Sequence, residues 1–313
     1  MNEAISLHIN KCRTYVDFML KQQQWSGLTK MDIDQWLSNF KNLSPDESLL
    51  VYKLLANLIY YSEADVIEAL KEGVHKCLYY DSILKKQIDT GFSLSQKALS
   101  NVIQEELEKS CFVPLLDSDS PHESGNYVTR TLVQQGIIPQ ERSLFIDKLP
   151  EYFSSGSISK LVIVDDCVGS GQQLSTFWKC ATIIDGNSVI TLQDLCAKYG
   201  VEAHYLTLFG YDANLRKLQN TFSNLKIHCV RMLTDAQRVF SDNAYIWKDS
   251  KERTEALKLF GELCQEANIP LYGYANLDFA FIMHRTIPDW SLPLFWMENA
   301  DWKLLVRRKN SHG

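Results

Sequence analysis

The 313-residue sequence has the composition of a soluble globular protein, with 45% hydrophobic and 22% charged residues and enough length for one or two domains with a full core. Its formal net charge of −6 excludes the broad basic surface with which many proteins bind a nucleic-acid backbone. No secretory signal opens the sequence, no apolar run of about 18 residues is uninterrupted, and the cysteines form no Cys-x-x-Cys pair, so we expect a cytoplasmic protein with reduced cysteines.

Residues 1–108 are predicted to form a helical N-terminal domain. Ser44 is placed to cap a helix, with Pro45 in its first turn and Glu47 completing a capping box. Apolar residues then recur at helical spacing and predict one buried stripe: Val51, Leu54, Leu55, Leu58 and Ile59. We expect this helix to end in Tyr60-Tyr61-Ser62, where Ser62 caps the next helix. The domain is interpreted as a scaffold, with recognition of a partner as the open alternative.

From about residue 110 onward, short apolar runs alternate with helical segments, which is typical of βαβ units. The predicted strands are Phe112–Leu115, Leu161–Val164, Glu202–Leu208, Lys226–Val230 and Phe279–Met283. The predicted helices are Tyr127–Gln134, Gln172–Ile184, Leu192–Tyr199, Ala213–Thr221 and Lys251–Ala267. We therefore predict an α/β domain over residues 109–313, with a parallel sheet, flanking helices and a C-terminal wrapping segment rich in tryptophan.

The segment Leu161–Gln173 has the clearest functional signal. Four apolar residues predict a buried strand that ends in the adjacent acids Asp165 and Asp166. A short glycine-containing loop then opens a helix, and such a loop presents backbone N–H groups to an anion with the helix dipole behind them. Ligands of open α/β sheets bind beyond the carboxyl ends of the strands. Acids beside a phosphate cradle therefore indicate a ribose 5-phosphate site, and acids that merely begin a loop are the alternative.

This segment resembles the phosphoribosyl-diphosphate (PRPP) loop of the phosphoribosyltransferases, which has four apolar residues, two acids, three variable residues, Thr or Ser, Gly, any residue, and Thr or Ser. Asp165, Asp166, Ser170 and Gly171 match that pattern, whereas Gln173 stands where the family usually has a hydroxyl. Segments near both ends are similar to the phosphoribosyltransferase-like proteins of bacterial conflict systems, the PRTase-CE type: Trp36–Phe40, Tyr60–Ser62, Tyr272–Tyr274, Phe281–Pro288, Leu292–Trp296 and Trp302–Leu305. The resemblance covers most of the chain.

The resemblance implies a phosphoribosyltransferase-like parallel sheet behind the helical domain, and it implies a set of site residues. Asp165 and Asp166 would be the catalytic acids and would contact Mg²⁺, which arrives with the substrate because a diphosphate needs its charge neutralised. The substrate would bind to the loop that follows the acids: Cys167, Val168, Gly169, Ser170, Gly171, Gln172 and Gln173.

The polar loop after the first predicted strand corresponds to the pyrophosphate loop of phosphoribosyltransferases. Ser124 and Gly125 would offer a hydroxyl and a backbone donor there, and Arg130 in the following helix would add positive charge. Three acids in the loop are unfavourable beside a pyrophosphate unless a metal intervenes: Asp117, Asp119 and Glu123. An ordinary surface loop is the alternative, and His122 as a general acid is a further one.

Two tyrosines are candidates to line the same cleft. Tyr211 follows the strand predicted over Glu202–Leu208, and Tyr274 neighbours Gly273 and would stack on a base. Ordinary packing of these rings is the alternative.

The resemblance implies an effector or component of an anti-phage defence system, with a retron association in some cases. Its chemistry would be transfer or hydrolysis at the anomeric carbon of PRPP or a related ribose 5-phosphate. The alternatives are a catalytically silent nucleotide or phosphoribosyl sensor and a structural subunit of a defence complex. The expected partners are that ligand and other proteins of a defence operon, such as a retron reverse transcriptase complex. No membrane partner is expected, and the charge does not indicate direct binding to nucleic acid.

Overall fold

A computed structural model of the chain describes residues 3–116, 124–284, 286–299 and 301–308. The chain divides into a split unit, Met1–Val66 with Leu233–Gly313, and a sheet unit, Ile67–Met232. The boundary that we predicted between residues 108 and 109 coincides with neither break. A strand near residue 60 pairs with one near residue 282, and this pairing joins the first segment of the chain to the last.

The described chain begins with three helices and then contains both helices and strands. The helices are α1 (Glu3–Lys21), α2 (Lys30–Leu37), α3 (Pro45–Ala56), α4 (Glu63–Glu72), α5 (Tyr80–Asp89), α6 (Gln96–Glu108), α7 (Ser124–Gln134), α8 (Leu149–Ser154), α9 (Gln172–Cys180), α10 (Leu192–Tyr199), α11 (Asp212–Thr221) and α12 (Ser250–Glu266). The strands are β1 (Ile59–Tyr61), β2 (Ser110–Pro114), β3 (Lys160–Val168), β4 (Thr182–Asp185), β5 (Ser188–Thr191), β6 (Glu202–Tyr211), β7 (Leu225–Leu233) and β8 (Phe281–Met283). None of the described helices has both the length and the apolarity to cross a membrane.

Both predicted helix starts in the N-terminal part are confirmed. The Ser44 hydroxyl accepts the N–H of Glu47, and the Glu47 carboxylate accepts the N–H of Ser44 at 2.7 Å, which completes the capping box of α3. Ser62 and Asp65 form the same reciprocal pair at the start of α4, with the Ser62 N–H 2.8 Å from the Asp65 carboxylate. Each pair satisfies two backbone N–H groups that would otherwise hydrogen-bond to water at the helix N-terminus.

The prediction that the helix after Ser44 continues to Tyr60 and Tyr61 was wrong. α3 ends at Ala56, and Ile59–Tyr61 is a strand that pairs in parallel with β8. Ile59 continues the apolar spacing of the helix, so periodicity alone placed it there. β-Branched and aromatic residues also favour an extended strand, and the partner strand decides between the two conformations.

The core of the split unit is formed by helices from the beginning of the chain and by segments from its end. Trp36 on α2 is fully buried, and its indole N–H donates to the carbonyl of Leu294 at 2.9 Å. Trp302 donates to the same carbonyl at 2.8 Å. The tryptophan-rich C-terminal segment therefore packs within the split unit, together with α1 to α3.

The sheet unit contains a four-stranded sheet with the order β2-β3-β6-β7. β2 with β3 and β3 with β6 are parallel, and the register aligns Val113 with Ile163 and Ile163 with Tyr205. Every residue of β2 is buried, as are almost all residues of β3 and β6, which is expected for a parallel sheet covered on both faces. The predicted α/β architecture, with a parallel sheet and flanking helices, is confirmed.

A hairpin replaces the end of one predicted helix. We predicted a helix over Gln172–Ile184, but α9 ends at Cys180, and β4 and β5 form an antiparallel pair around an Asp-Gly-Asn turn. Ile184 and Val189 are cross-strand partners in this hairpin and are 73% and 68% exposed. The predicted helix was too long because the β-branched residues after Cys180 favour a strand.

Candidate functional site

The carboxyl ends of β2, β3 and β6 lie at the same edge of the sheet, because these three strands are parallel neighbours. β3 is longer than the predicted Leu161–Val164 and includes both acids before it ends at Val168. The strand ladder pairs Asp165 with Thr207 on β6. The acids therefore belong to the last part of the strand and are held more rigidly than residues of a loop.

Asp165 is buried and accepts hydrogen bonds from three protein donors. The residue as a whole is only 2% exposed to solvent. One carboxylate oxygen accepts the Ser124 hydroxyl at 3.0 Å and the backbone N–H of Asp166 at 2.9 Å, and the other accepts the Tyr205 hydroxyl at 3.0 Å. Burial raises the pKa of Asp165 well above its ordinary value, and the neighbouring Asp166 raises it further, while these hydrogen bonds lower it.

Asp166 is the second acid of the pair and is 8% exposed. Burial raises its pKa as well, and hydrogen bonds from Ser124 and Cys167 oppose that effect. Two adjacent buried carboxyl groups repel each other when both are ionised. A cation or a polyhydroxylated ligand at this position would relieve that repulsion.

The loop Gly169–Gly171 is fixed by the helices on either side of it. The Gly169 carbonyl accepts the side-chain amide of Asn214 on α11 at 2.7 Å, and the Gly171 carbonyl accepts the hydroxyl of Ser175 on α9 at 2.9 Å. Gly171 caps α9 in the left-handed conformation with a φ of 77°, and a Cβ there would lie 2.5 Å from the Leu218 side chain. Only glycine fits this position without strain.

The remaining predicted loop residues differ in exposure. Val168 is buried, Cys167 and Ser170 are half-buried, and Gln172 and Gln173 begin α9 with exposed and half-buried side chains. The Ser170 hydroxyl accepts the N–H of Gln172 at 3.3 Å. Gln173 therefore lies in the first turn of a helix, where a side-chain amide and the helix dipole would both face an anion.

The structure brings Ser124 to the acids and describes only part of the second loop. Ser124 and Gly125 are the first residues of α7, and Gly125 approaches the Leu115 backbone so closely that a Cβ would overlap it. Arg130 lies on the same helix with an exposed side chain. The predicted roles of Asp117, Asp119, His122 and Glu123 fall outside the described residues.

The two candidate tyrosines belong to different units. Tyr211 is the last residue of β6, at the carboxyl edge of the sheet, and is 9% exposed. Tyr274 belongs to the split unit, in the turn Tyr274–Asn276, and is 49% exposed.

Two residues of the site were absent from the sequence prediction: Tyr205, which contacts Asp165, and Asn214, which contacts the loop. A signal for Tyr205 existed in the alternation of strand side chains. Parallel partners share a face, so Tyr205 opposite Ile163 lies on the same face as Asp165 two positions further on. Using that signal requires the register between β3 and β6, which the sequence does not state.

The donor set at this edge fits Mg²⁺ only with help from a ligand. Carboxylate oxygens are suitable ligands, and Mg²⁺ typically uses one or two of them together with waters and substrate phosphates. Among the described residues no group of three or more His, Cys, Asp or Glu side chains could hold a metal ion. The arrangement as a whole suits a polyhydroxylated, phosphate-bearing ligand: carboxyl groups at the strand end lie next to a glycine loop at a helix N-terminus.

Comparisons with known proteins match the chain to one family and to a solved structure. The family model PRTase-CE matches residues 33–308. No curated protein sequence matches the chain. The crystal structure of orotate phosphoribosyltransferase from Aeropyrum pernix is a structural neighbour with 12% sequence identity and a TM-score of 0.25. The match covers 41% of this chain and 62% of that one, which is less than two thirds of the neighbour's length.

Proposed function

This chain belongs to the PRTase-CE family, and we propose that it binds PRPP, or a related ribose 5-phosphate, with Mg²⁺ at the carboxyl edge of the four-stranded sheet. One observation carries the proposal: the two acids lie in the last part of β3, and the loop after this strand leads through Gly171 into the N-terminus of α9. The acids suit ribose hydroxyls, and the loop amides suit a phosphate.

In the proposed complex the two ends of the ligand are held by different elements. Residues Gly169–Gln173 would cradle the 5-phosphate, and Ser124, Gly125 and Arg130 would lie on the pyrophosphate side. Cys167 and Val168 would contact the ribose between the acids and the phosphate loop. Mg²⁺ would be held by acidic oxygens of the Asp165–Asp166 pair and by the ligand's own phosphates, and it would supply neutralisation of the diphosphate charge.

The proposed reaction is transfer or hydrolysis at the anomeric carbon. The bond from that carbon to the pyrophosphate oxygen breaks, a bond to an acceptor nitrogen or to a water oxygen forms, and the acceptor's proton leaves to solvent. Positive charge develops on the ribose ring in such transition states, so buried carboxyl groups beside the ring would stabilise it. The main contribution of the chain would be to hold the phosphate, the pyrophosphate and the acceptor in line.

A second candidate function is a catalytically silent sensor of the same ligand. Two observations favour it: Gln173 replaces the usual hydroxyl of the loop, and Asp165 already has three protein donors. A sensor would bind the ligand without turnover, and a structural subunit would contain the pocket without using it. Release of pyrophosphate separates the enzyme from both.

At the cellular level we propose a role as effector or component of a bacterial anti-phage defence system, with operon proteins such as a retron reverse transcriptase complex as partners. The support is the family membership together with the sequence resemblance. Plating phage on bacteria that contain the gene in its operon, with and without Asp165→Asn/Asp166→Asn, tests this role. Equal plating on both strains would refute a defence role for the pocket.

The biochemical proposal is tested by calorimetric titration of PRPP with Mg²⁺ into the wild type and into Asp165→Asn/Asp166→Asn. We expect binding by the wild type and its loss in the folded double variant, followed by pyrophosphate release in the wild type alone. Asp147→Asn, an exposed acid in the sheet unit, is the matched control and should bind like the wild type. Absence of wild-type binding at millimolar ligand would refute the proposal.

A further inference from the structure

The carboxyl group of Asp165 is a point where three structural elements meet. Asp165 lies on β3, its Tyr205 donor lies on β6, and its Ser124 donor is the first residue of α7. The two hydroxyl contacts are both 3.0 Å long. Tyr205 is fully buried as well, so this cluster is part of the interior of the sheet unit.

The hydrogen-bonding capacity of Asp165 is largely used by the protein itself. An ionised carboxylate has about four lone-pair sites, and three donors already fill sites on both of its oxygens. Removing one donor from a buried acceptor is costly, because no water replaces it. At most one site remains for a ligand hydroxyl, and Asp165 is only 2% exposed.

We propose that Asp165 is a positioning residue which, with Tyr205 and Ser124, fixes the start of α7 against the end of β3, and that Asp166 is the carboxylate that contacts the ligand. The part about Asp166 rests on the proposed function. The part about Asp165 concerns the protein without ligand. The sequence motif treats the two acids alike, whereas in the structure the Tyr205 hydroxyl donates to Asp165.

The functional consequence concerns the distance between two ligand-binding elements. Ser124 and Gly125 begin α7 on the side proposed for the pyrophosphate, and Gly169–Gly171 lie on the side proposed for the 5-phosphate. The hydrogen bond from Ser124 to Asp165 links α7 directly to β3, the strand that leads into that loop. It would set the spacing that the two ends of a diphosphate ligand require.

Hydrogen exchange without ligand tests the positioning role. We expect peptides that cover α7 to exchange at least about fivefold faster in Asp165→Asn and in Tyr205→Phe than in the wild type. Tyr199→Phe is the matched control, since the Tyr199 hydroxyl donates to Asp185 in the same unit at 3.2 Å. This control should leave the exchange of α7 unchanged.

Titration of PRPP with Mg²⁺ into the same variants tests the division of roles. We expect Asp166→Asn to abolish binding, and Asp165→Asn to weaken it by about 5- to 20-fold. Tyr205→Phe should weaken binding in the wild type but add nothing in the Asp165→Asn background, because Tyr205 acts through Asp165. A general loss of stability would instead weaken binding equally in both backgrounds.

Unchanged exchange of α7 in both Asp165→Asn and Tyr205→Phe would overturn the positioning role, and Tyr205→Phe alone decides it if Asp165→Asn does not fold. Equal loss of binding in Asp165→Asn and Asp166→Asn, without faster exchange, would show that both acids contact the ligand. If the wild type itself does not bind PRPP, the proposed function fails, while the exchange result still decides the role of Asp165.

Discussion

The side chain of Asn39 forms two hydrogen bonds with the backbone of Lys303, 264 positions away in the chain. Its amide nitrogen donates to the Lys303 carbonyl, and its oxygen accepts the Lys303 N–H, both at 2.8 Å. A side-chain amide has the same donor and acceptor geometry as a peptide group. Asn39 therefore acts as a one-residue strand partner that attaches the C-terminal segment to the end of α2.

Asn39→Ala is expected to lower the free energy of unfolding by about 1–2 kcal/mol, because it leaves a backbone donor and acceptor without their partner. Urea denaturation followed by circular dichroism measures this. Asn10→Ala on the exposed side of α1 is the control and should stay within about 0.5 kcal/mol of the wild type. Equal effects of the two substitutions would mean that the Asn39 contacts contribute nothing.

The contribution of two buried histidines to the stability of the sheet unit is expected to fall in mild acid. His204 Nδ1 and His228 Nε2 lie 2.9 Å apart with nearly parallel rings. Burial lowers the pKa of both, to about 4 for His228, where His204 and Lys226 lower it further and Asp81 raises it. Glu202 raises the pKa of His204, and Lys160 and Lys226 lower it.

The direction of this pH dependence follows from comparing the folded and unfolded chain. Unfolded histidine has a pKa near 6.5, so the unfolded chain takes up protons first as the pH falls. The stabilisation is complete above about pH 6.5 and is lost as the pH falls toward 4, with a decrease of about 1–2 kcal/mol by pH 5. Urea denaturation at several pH values measures it. His228→Gln should flatten this dependence, whereas Asn10→Ala on exposed α1 should not.

Gly171→Ala is expected to destabilise the chain more than Gly186→Ala. Both glycines have positive φ, 77° and 62°, but a Cβ on Gly186 meets nothing within 4 Å, whereas one on Gly171 meets Leu218. Gly186→Ala should cost about 1–2 kcal/mol for the left-handed conformation, and Gly171→Ala about 1–3 kcal/mol more for the overlap. Thermal and urea denaturation measure both, and equal losses would contradict the overlap with Leu218.

The two indoles that share the Leu294 carbonyl are expected to be coupled. Either Trp36→Phe or Trp302→Phe leaves that buried carbonyl with one donor, and the double variant removes both indole donors. We expect the double variant to lose about 1 kcal/mol more than the sum of the single variants, with the larger single effect at fully buried Trp36. Additive losses in urea denaturation would show that the shared carbonyl is unimportant.

Local signals predicted the helix starts and the strands of the sheet unit. Ser44 and Ser62 are recognisable because a cap and its box lie within four residues, and Leu161–Val164 because a buried parallel strand is continuously apolar. The acids and glycines of the loop were recognised through a motif. Ile59–Tyr61 was assigned to a helix because its partner strand lies near the other end of the chain. The Ile184–Val189 hairpin was missed although Asp185-Gly186 is a turn signal.

The contacts of Asp165 could not be predicted, since they depend on register and on the approach of a helix. Tyr205 reaches it because β6 aligns with β3 at Ile163, and Ser124 reaches it because Gly125 lets α7 approach the end of β2. A sequence specifies such contacts only through the complete packed structure. The residue types of the site were thus accessible, and their division of labour was not.

The division of the split unit into two chain segments has a consequence for biosynthesis. On the ribosome, the whole sheet unit is available before the second segment of the split unit is made, and domains generally fold as they emerge. The indole of Trp36 cannot form its hydrogen bond until Leu294, 258 positions later, has been synthesised. The apolar faces of α1 to α3 that pack against the C-terminal segment therefore remain uncovered during most of translation. We therefore expect the nascent N-terminal helices to depend on chaperones, and the completed split unit to form last and more slowly than the sheet unit.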